Sequence, residues 1–200
     1  MSKQAVICSA TLIALLSLPV FGTAQTGTCI DQVPTATGDT PAISSSGIFS
    51  SAYEAWRAFD SDISSQSMWI SEVFETPAWI AYDFGTSTMV DRYQINHANG
   101  SLLTSRAPKD FTFEGWNGSS WVILDTRTDE TDWISASPRF YDVASPGRYT
   151  QYRLHITDDN DARSGVVVIS MSDLQFLRCG VIFSGDFESG DFSAWSGQSP

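Results

Sequence analysis

Few residues in this chain have the chemistry for nucleophilic catalysis. A nucleophile needs a base beside it, and the chain has two histidines, His97 and His155. It holds no Gly-x-Ser-x-Gly elbow, no His-Glu-x-x-His pair and no glycine-rich phosphate loop. A glycosidase-type carboxylate pair is defined by distance in space, which linear spacing does not display. Three cysteines are present: Cys8, Cys29 and Cys179. Cys8 lies in an apolar N-terminal stretch and is lost if that stretch is cleaved. Cys29 and Cys179 then remain, and in an oxidising compartment they read as a disulfide pair. Metal ligation or a free thiol is the weaker alternative, because no further Cys or His stands nearby at ligand spacing. The run Asp158–Asp161 reads either as a cation site or as a solvated acidic loop. Binding chemistry is therefore expected, and catalysis is not.

The N-terminus reads as an export leader. Lys3 supplies the positive start, Ala5–Val20 the apolar run, and Gly22-Thr23-Ala24 the small residues of a cleavage site. Residues 1–24 are read as a signal peptide, with a mature, secreted chain starting near Gln25. The run is too short and too interrupted for a membrane anchor, and no other segment is long and apolar enough to span a bilayer. The formal net charge is −12 and the pI about 4.3. That balance excludes a nucleic-acid footprint and disfavours anionic membranes, because phosphates would be repelled. It suits a secreted protein and it suits cations.

Any site must be positioned by strands. Residues 25–41 are rich in Thr, Gly and Pro and read as a loose lead-in. Trp79–Phe84 is an apolar run expected to stop at Gly85, and Met89–Asn96 is the next. Lys109–Trp116 alternates, with Phe111 and Phe113 on one face. Asn117-Gly118 signals a tight turn, and Trp121–Thr126 follows as the hairpin partner. Arg139–Val143, Tyr149–Thr157 and Val166–Leu177 complete the set. No helical period is sustained, although residues 52–60 have room for one short helical turn. Many short strands without helices predict an all-β sandwich or jelly roll. Twelve Phe, seven Trp and six Tyr supply its core, with rings to spare for a ligand. Trp56, Trp69, Trp79, Trp116 and Trp121 lie in or beside strand-like segments and are assigned to the core. Residues 180–200 differ in texture, repeat Gly-Asp-Phe, and read either as a tail with a role in export or surface retention or as a disordered acidic tail.

Five segments, in order over about residues 42–178, resemble the discoidin family, also called coagulation factor 5/8 type C. They are Ala58-Phe-Asp-Ser-Asp62 with Met68-Trp69; Pro77-Ala-Trp-Ile-Ala-Tyr-Asp-Phe-Gly85; Arg106-Ala-Pro-Lys-Asp-Phe-Thr-Phe-Glu-Gly115 with Asn117-Gly118 and Trp121; Tyr152-Arg-Leu-His-Ile156; and Ser172-Asp-Leu-Gln-Phe176. The resemblance implies a galactose-binding-like jelly-roll β-sandwich over residues 42–179. It also implies paired terminal cysteines and a ligand site on loops at one end. The family includes bacterial carbohydrate-binding modules, so a glycan or polysaccharide is the expected partner. A protein-contacting adhesion module at a cell surface is the alternative.

The same resemblance implies a structural calcium site of Asp60, Asp62, Ser67 and Asp173. Three departures fall on that motif. Ser61 replaces a glycine, two extra residues precede Trp69, and Asp173 stands where the family has Glu. The plainer reading is that Asp60 and Asp62 form an Asx turn. Sugar sites in such modules join a stacking ring to a few polar side chains on loops. On that pattern His97, Arg106, Trp133 and Asn160 are the candidate ligand-binding residues, with Trp133 as the ring.

Overall fold

The computed structural model describes residues 28–64, 66–73, 77–97, 104–135, 137–161 and 168–180. The expected leader and residues 181–200 of the expected tail lie outside the described residues. Among the described residues there are eight strands: β1 (Cys29–Asp31), β2 (Ile43–Ser45), β3 (Trp69–Ile70), β4 (Ala78–His97), β5 (Pro108–Trp116), β6 (Trp121–Arg127), β7 (Arg139–Asp159) and β8 (Ser170–Cys179). Short 3₁₀ turns occupy Ala55–Ala58, inside the predicted window, and Thr104–Arg106. All the strand pairing is antiparallel. Among the described residues no helix is long and apolar enough to cross a membrane.

Two strands are far longer than the sequence pattern suggested. β4 continues through Gly85, and β7 joins the two predicted strands 139–143 and 149–157 into one. Each belongs to both layers of the sandwich. The first part of β4 pairs with β2 and with the second part of β7, which pairs in turn with β5, and β5 with β6. The later part of β4 pairs with β8 and with the first part of β7. The register shifts between Asp83 and Thr88, where the chain turns from one layer to the other. Gly85 sits in that bend at φ +64°, and its N–H is held by the Asp83 carboxylate. The glycine bends the strand because it accepts the left-handed conformation at no steric cost.

Side chains from the two layers meet between them. Phe113 of β5 stacks on Tyr93 of β4 at 4.6 Å, lies 5.5 Å from Tyr152 of β7 and meets the Phe176 ring of β8 edge-on at 5.3 Å. All four are fully buried. Tyr93 spends its hydroxyl on the buried Asp125 carboxylate, which Arg127 also pairs with. Tyr152 donates to the carbonyls of Thr88 and Gly147, so its ring is buried without an orphaned hydroxyl.

The segment expected to be a loose lead-in is woven into this fold. β1 pairs with β8, Val33 is buried in the core, and Ala36 packs against it. The Asp31 carboxylate holds the N–H groups of Val33 and Phe176. The reason is the covalent link: Cys29 and Cys179 form a disulfide beside each other in the β1–β8 register. Trp69 is fully buried as assigned, but Trp79, Trp116 and Trp121 are half-buried and stand outside the core cluster. The hairpin at Asn117-Gly118 forms as read, with the Asn117 carboxamide oxygen accepting from Ser119 and Ser120.

The disulfide closes a loop of 150 residues. Reducing it, or making Cys29→Ser, is expected to lower unfolding free energy by about 2–5 kcal/mol. Urea unfolding with and without reductant measures this; an unchanged midpoint would show that β1 holds without its bond.

Candidate functional site

At the end of the sandwich away from the disulfide, β4 and β7 finish, β5 and β8 begin, and the chain leaves β6. The four residues expected to bind ligand gather at this apex. His97 ends β4, Arg106 closes the second 3₁₀ turn, Trp133 lies in the β6–β7 loop, and Asn160 follows β7. Trp133 differs from the expected open ring. It is 7% exposed, its indole N–H is shared between the carbonyls of Pro108 and Glu130, and the Arg139 guanidinium lies 4.2 Å from its ring centre. His97 is fully buried and meets the Trp133 ring edge-on at 5.7 Å. A lone Trp in a polar loop reads as a ligand platform from sequence. Here it is drawn inward because its N–H finds carbonyl partners there.

Asn160 works on the same carbonyls. Its side-chain amide donates to Ala107 and Glu130 at 3.1 Å each, and its backbone N–H also reaches Ala107. Asn160 and Trp133 thus tie the start of β5 to the loop after β6. They form the floor of the apex rather than its surface. The acidic run beside them is tied into the fold. Asp158 pairs with Lys109 at 3.1 Å, and Asp159 is buried with its carboxylate on the N–H groups of Asp161 and Val168. Burial raises the Asp159 pKa above the ordinary carboxylate value, against the lowering effect of those N–H groups.

Other side chains reach solvent at the apex. Arg106 is half-exposed. Ile134, next to Trp133, is 70% exposed, and Phe49 is 56% exposed. Phe49 belongs to the apex because its N–H bonds to Ile70 of β3, which pairs with the first residue of β8. Its ring lies 6.2 Å from that of Tyr53. Sequence reading passed over Phe49. The available signal was Ile48-Phe49, a large apolar pair set in the Ser/Gly stretch 44–51 with no strand period to bury it.

Three of the four expected calcium ligands come together. The Ser67 hydroxyl donates to the Asp60 carboxylate. The Asp60 charge helps raise the pKa of Asp173, whose carboxylate takes the Ser61 N–H. Burial is the main cause of that rise, followed by the charge of Asp31, and together they push Asp173 up to about 7. Gln94 and Gln175 also donate to Asp173. Asp62 is turned away: it is exposed and its carboxylate caps the Ser64 N–H. Ser61 takes φ +61° in the place of the family glycine. The Asx turn exists as well, with Asp62 N–H on Asp60. Two carboxylates and a hydroxyl are hard-oxygen chemistry that fits calcium. Among the described residues no three acidic, histidine or cysteine side chains close on one point, so backbone carbonyls must complete any shell.

Comparison with known proteins agrees with this fold. Residues 57–150 match the F5/8 type C family model described as "NedA-like, galactose-binding domain". Among solved structures, chitosan-binding module 1 of a chitosanase/glucanase from Paenibacillus sp. IK-5 is similar, with 20% identity over 68% of this chain and 92% of that one, at TM-score 0.53. The family 32 CBM of NanJ from C. perfringens, in complex with galactose, shows 13% identity over 68% and 92%, at TM-score 0.54. An F5/8 type C domain from Bacteroides fragilis shows 13% identity over 68% and 90%, at TM-score 0.54. A search of curated proteins finds no match. The family-model match over residues 57–150 agrees with the resemblance read from the five segments, and the solved neighbours show that the domain has the galactose-binding-like β-sandwich fold.

The apex floor depends on Asn160. Asn160→Ala is expected to cost about 1–3 kcal/mol, because the Ala107 and Glu130 carbonyls each lose one of their two donors. Chemical denaturation measures the loss, and hydrogen exchange should localise it to residues 104–110 and 127–135.

Proposed function

We propose that this is a secreted, non-catalytic module that binds carbohydrate at the apex. The observation that carries the reading is the pairing of a braced floor with an exposed rim. His97, Trp133 and Asn160 are locked together, while Arg106, Phe49 and Ile134 reach solvent around them. A pyranose has an apolar C–H face edged by hydroxyls. Such a ligand needs a small apolar surface and a few fixed donors. Phe49 and Ile134 supply apolar surface, and Arg106 supplies forked N–H donors. His97, Trp133 and Asn160 act as positioning residues beneath them. A rigid floor lowers the ordering cost of binding a flexible sugar. The likeness to a module solved with galactose supports the same reading. The chain's net charge of −12 favours neutral or cationic glycans over polyanions.

Calcium enters this proposal as a structural ion. Asp60, Ser67 and Asp173 would hold it, with main-chain oxygens nearby. It would pin the 59–67 loop to β8 and perform no chemistry.

Two outcomes follow. On a glycan array, the protein is expected to give saturable binding that Arg106→Ala weakens about tenfold to a hundredfold with the melting temperature unchanged. Silence of the folded protein across the array would overturn the carbohydrate reading in favour of a protein-contacting module. Adding calcium after chelation is expected to raise the melting temperature of the wild type but not of Asp60→Asn or Asp173→Asn. Equal melting curves with calcium and with chelator would remove the ion from the account.

A further inference from the structure

The outer face of the layer formed by β2, β4, β7, β5 and β6 carries a second set of rings and polar groups, far from the apex floor. Strand alternation puts Ala78 and Ile80, Leu154 and Ile156, and Phe111 and Phe113 on the core side. Their neighbours Trp79, Arg153, His155, Glu114 and Trp116 therefore face outward. The register lays them side by side: Trp79 opposite His155, His155 opposite Thr112, Arg153 opposite Glu114, and Trp116 opposite Trp121.

The polar groups between the rings are held rigidly. Arg153 pairs with Glu114 through two nitrogens, at 2.6 and 2.7 Å. Thr112 donates to the same carboxylate at 2.6 Å, and His155 Nδ1 lies 3.9 Å from it. The guanidinium of Arg153 is 4.4 Å from the Trp121 ring centre, and Trp121 leans on Trp116 at 5.4 Å. Ile123, in the adjoining register position, is 59% exposed. The indoles of Trp79, Trp116 and Trp121 are only half-buried.

We propose that this sheet face is a second binding surface, and that its ligand is an extended neutral polysaccharide chain lying across the strands. Charge argues for a neutral ligand. In a chain of net charge −12, this strip pairs one Arg with one Glu, and burial holds the His155 imidazole below its ordinary pKa, so the strip is neutral at pH 7. Geometry argues for a polymer. Trp79 and Trp116 are separated by two strand spacings and about four residues of strand, on the order of 16 Å. That span matches several linked sugar units and exceeds one. Rings at both ends, with fixed donors and acceptors between, suit stacking on successive C–H faces with hydroxyls read in the middle. The inference shares its ligand class with the proposed apex function but uses none of the apex residues.

The test is affinity electrophoresis through gels holding soluble galactan or β-glucan. Wild type, the double variant Trp79→Ala/Trp116→Ala, the conservative pair Trp79→Phe/Trp116→Phe, and Arg106→Ala are compared, with melting curves as fold controls. The wild type is expected to be retarded by polymer. The alanine pair should lose about tenfold in polymer affinity while keeping its binding of short sugars, and the phenylalanine pair should recover most of it. Retardation that survives in the alanine pair but vanishes in Arg106→Ala would overturn the sheet face and leave the apex reading standing. Retardation lost only in the alanine pair would support the sheet face and count against the apex. A folded wild type that no polymer retards would overturn the sheet-face proposal outright. If the alanine pair fails to fold, the single variants Trp79→Ala and Trp116→Ala decide: a folded single variant with weakened retardation supports the sheet face, and folded single variants retarded like the wild type overturn it.

Discussion

Two bent strands govern this molecule. β4 and β7 each run along one layer, turn, and return along the other. The two layers are therefore parts of one continuous ladder and cannot slide past each other. The aromatic stack Tyr93–Phe113–Tyr152 sits between them and records the arrangement, with one ring from each of β4, β5 and β7. A shift of one residue in either strand would turn Ile80, Leu154 or Tyr93 to solvent. Register in both layers, and hence the position of every loop at both ends, follows from this constraint.

The apex depends on it directly. Because β4 returns, its last residue, His97, arrives beside the loop that follows β6. Because β7 returns, its first residue, Arg139, and the residue after it, Asn160, reach the same place. Trp133 is then enclosed by groups near it in sequence and from two distant parts of the chain: Arg139 over its face, His97 against its edge, and the Glu130 and Pro108 carbonyls on its N–H. A surface built this way is stiff, and stiffness is what a weak, hydroxyl-rich ligand requires of its site. The outer face of the five-stranded layer is stiff for a simpler reason. Its side chains stand on the ladder itself, and the Glu114–Arg153 pair fixes the middle of the row.

Charge is distributed to match. Several carboxylates already have work within the fold. Asp159 caps backbone N–H groups, Asp125 anchors Tyr93, and Asp158 pairs with Lys109. Asp173 is the exception in kind. It is buried beside two other negative charges, Asp31 and Asp60, and is held by neutral amide donors instead of a cation. That arrangement is costly for a charged carboxylate without a positive partner, and it is where a hard cation would relieve most repulsion.

The sequence by itself determined the class of fold and its order of strands. Alternating apolar residues, the Asn117-Gly118 turn and the lack of helical period required an all-β sandwich, because these are local signals with local causes. Five spaced segments and two cysteines carried the family resemblance, and the disulfide lies where the pair suggested. Tertiary structure alone decided which side chains are open. Trp133 reads as an open loop ring and Trp116 as core, yet the first is sealed in the floor and the second stands on the outer face. Gly85 read as a stop and proved to be a bend, because whether a strand ends or turns depends on a second layer to receive it. The lead-in looked loose because its residues make no pattern of their own; it is ordered by β8 and the disulfide, partners almost the whole domain away. Exposure, convergence and continuity are properties of contacts between distant segments, and linear spacing does not encode them.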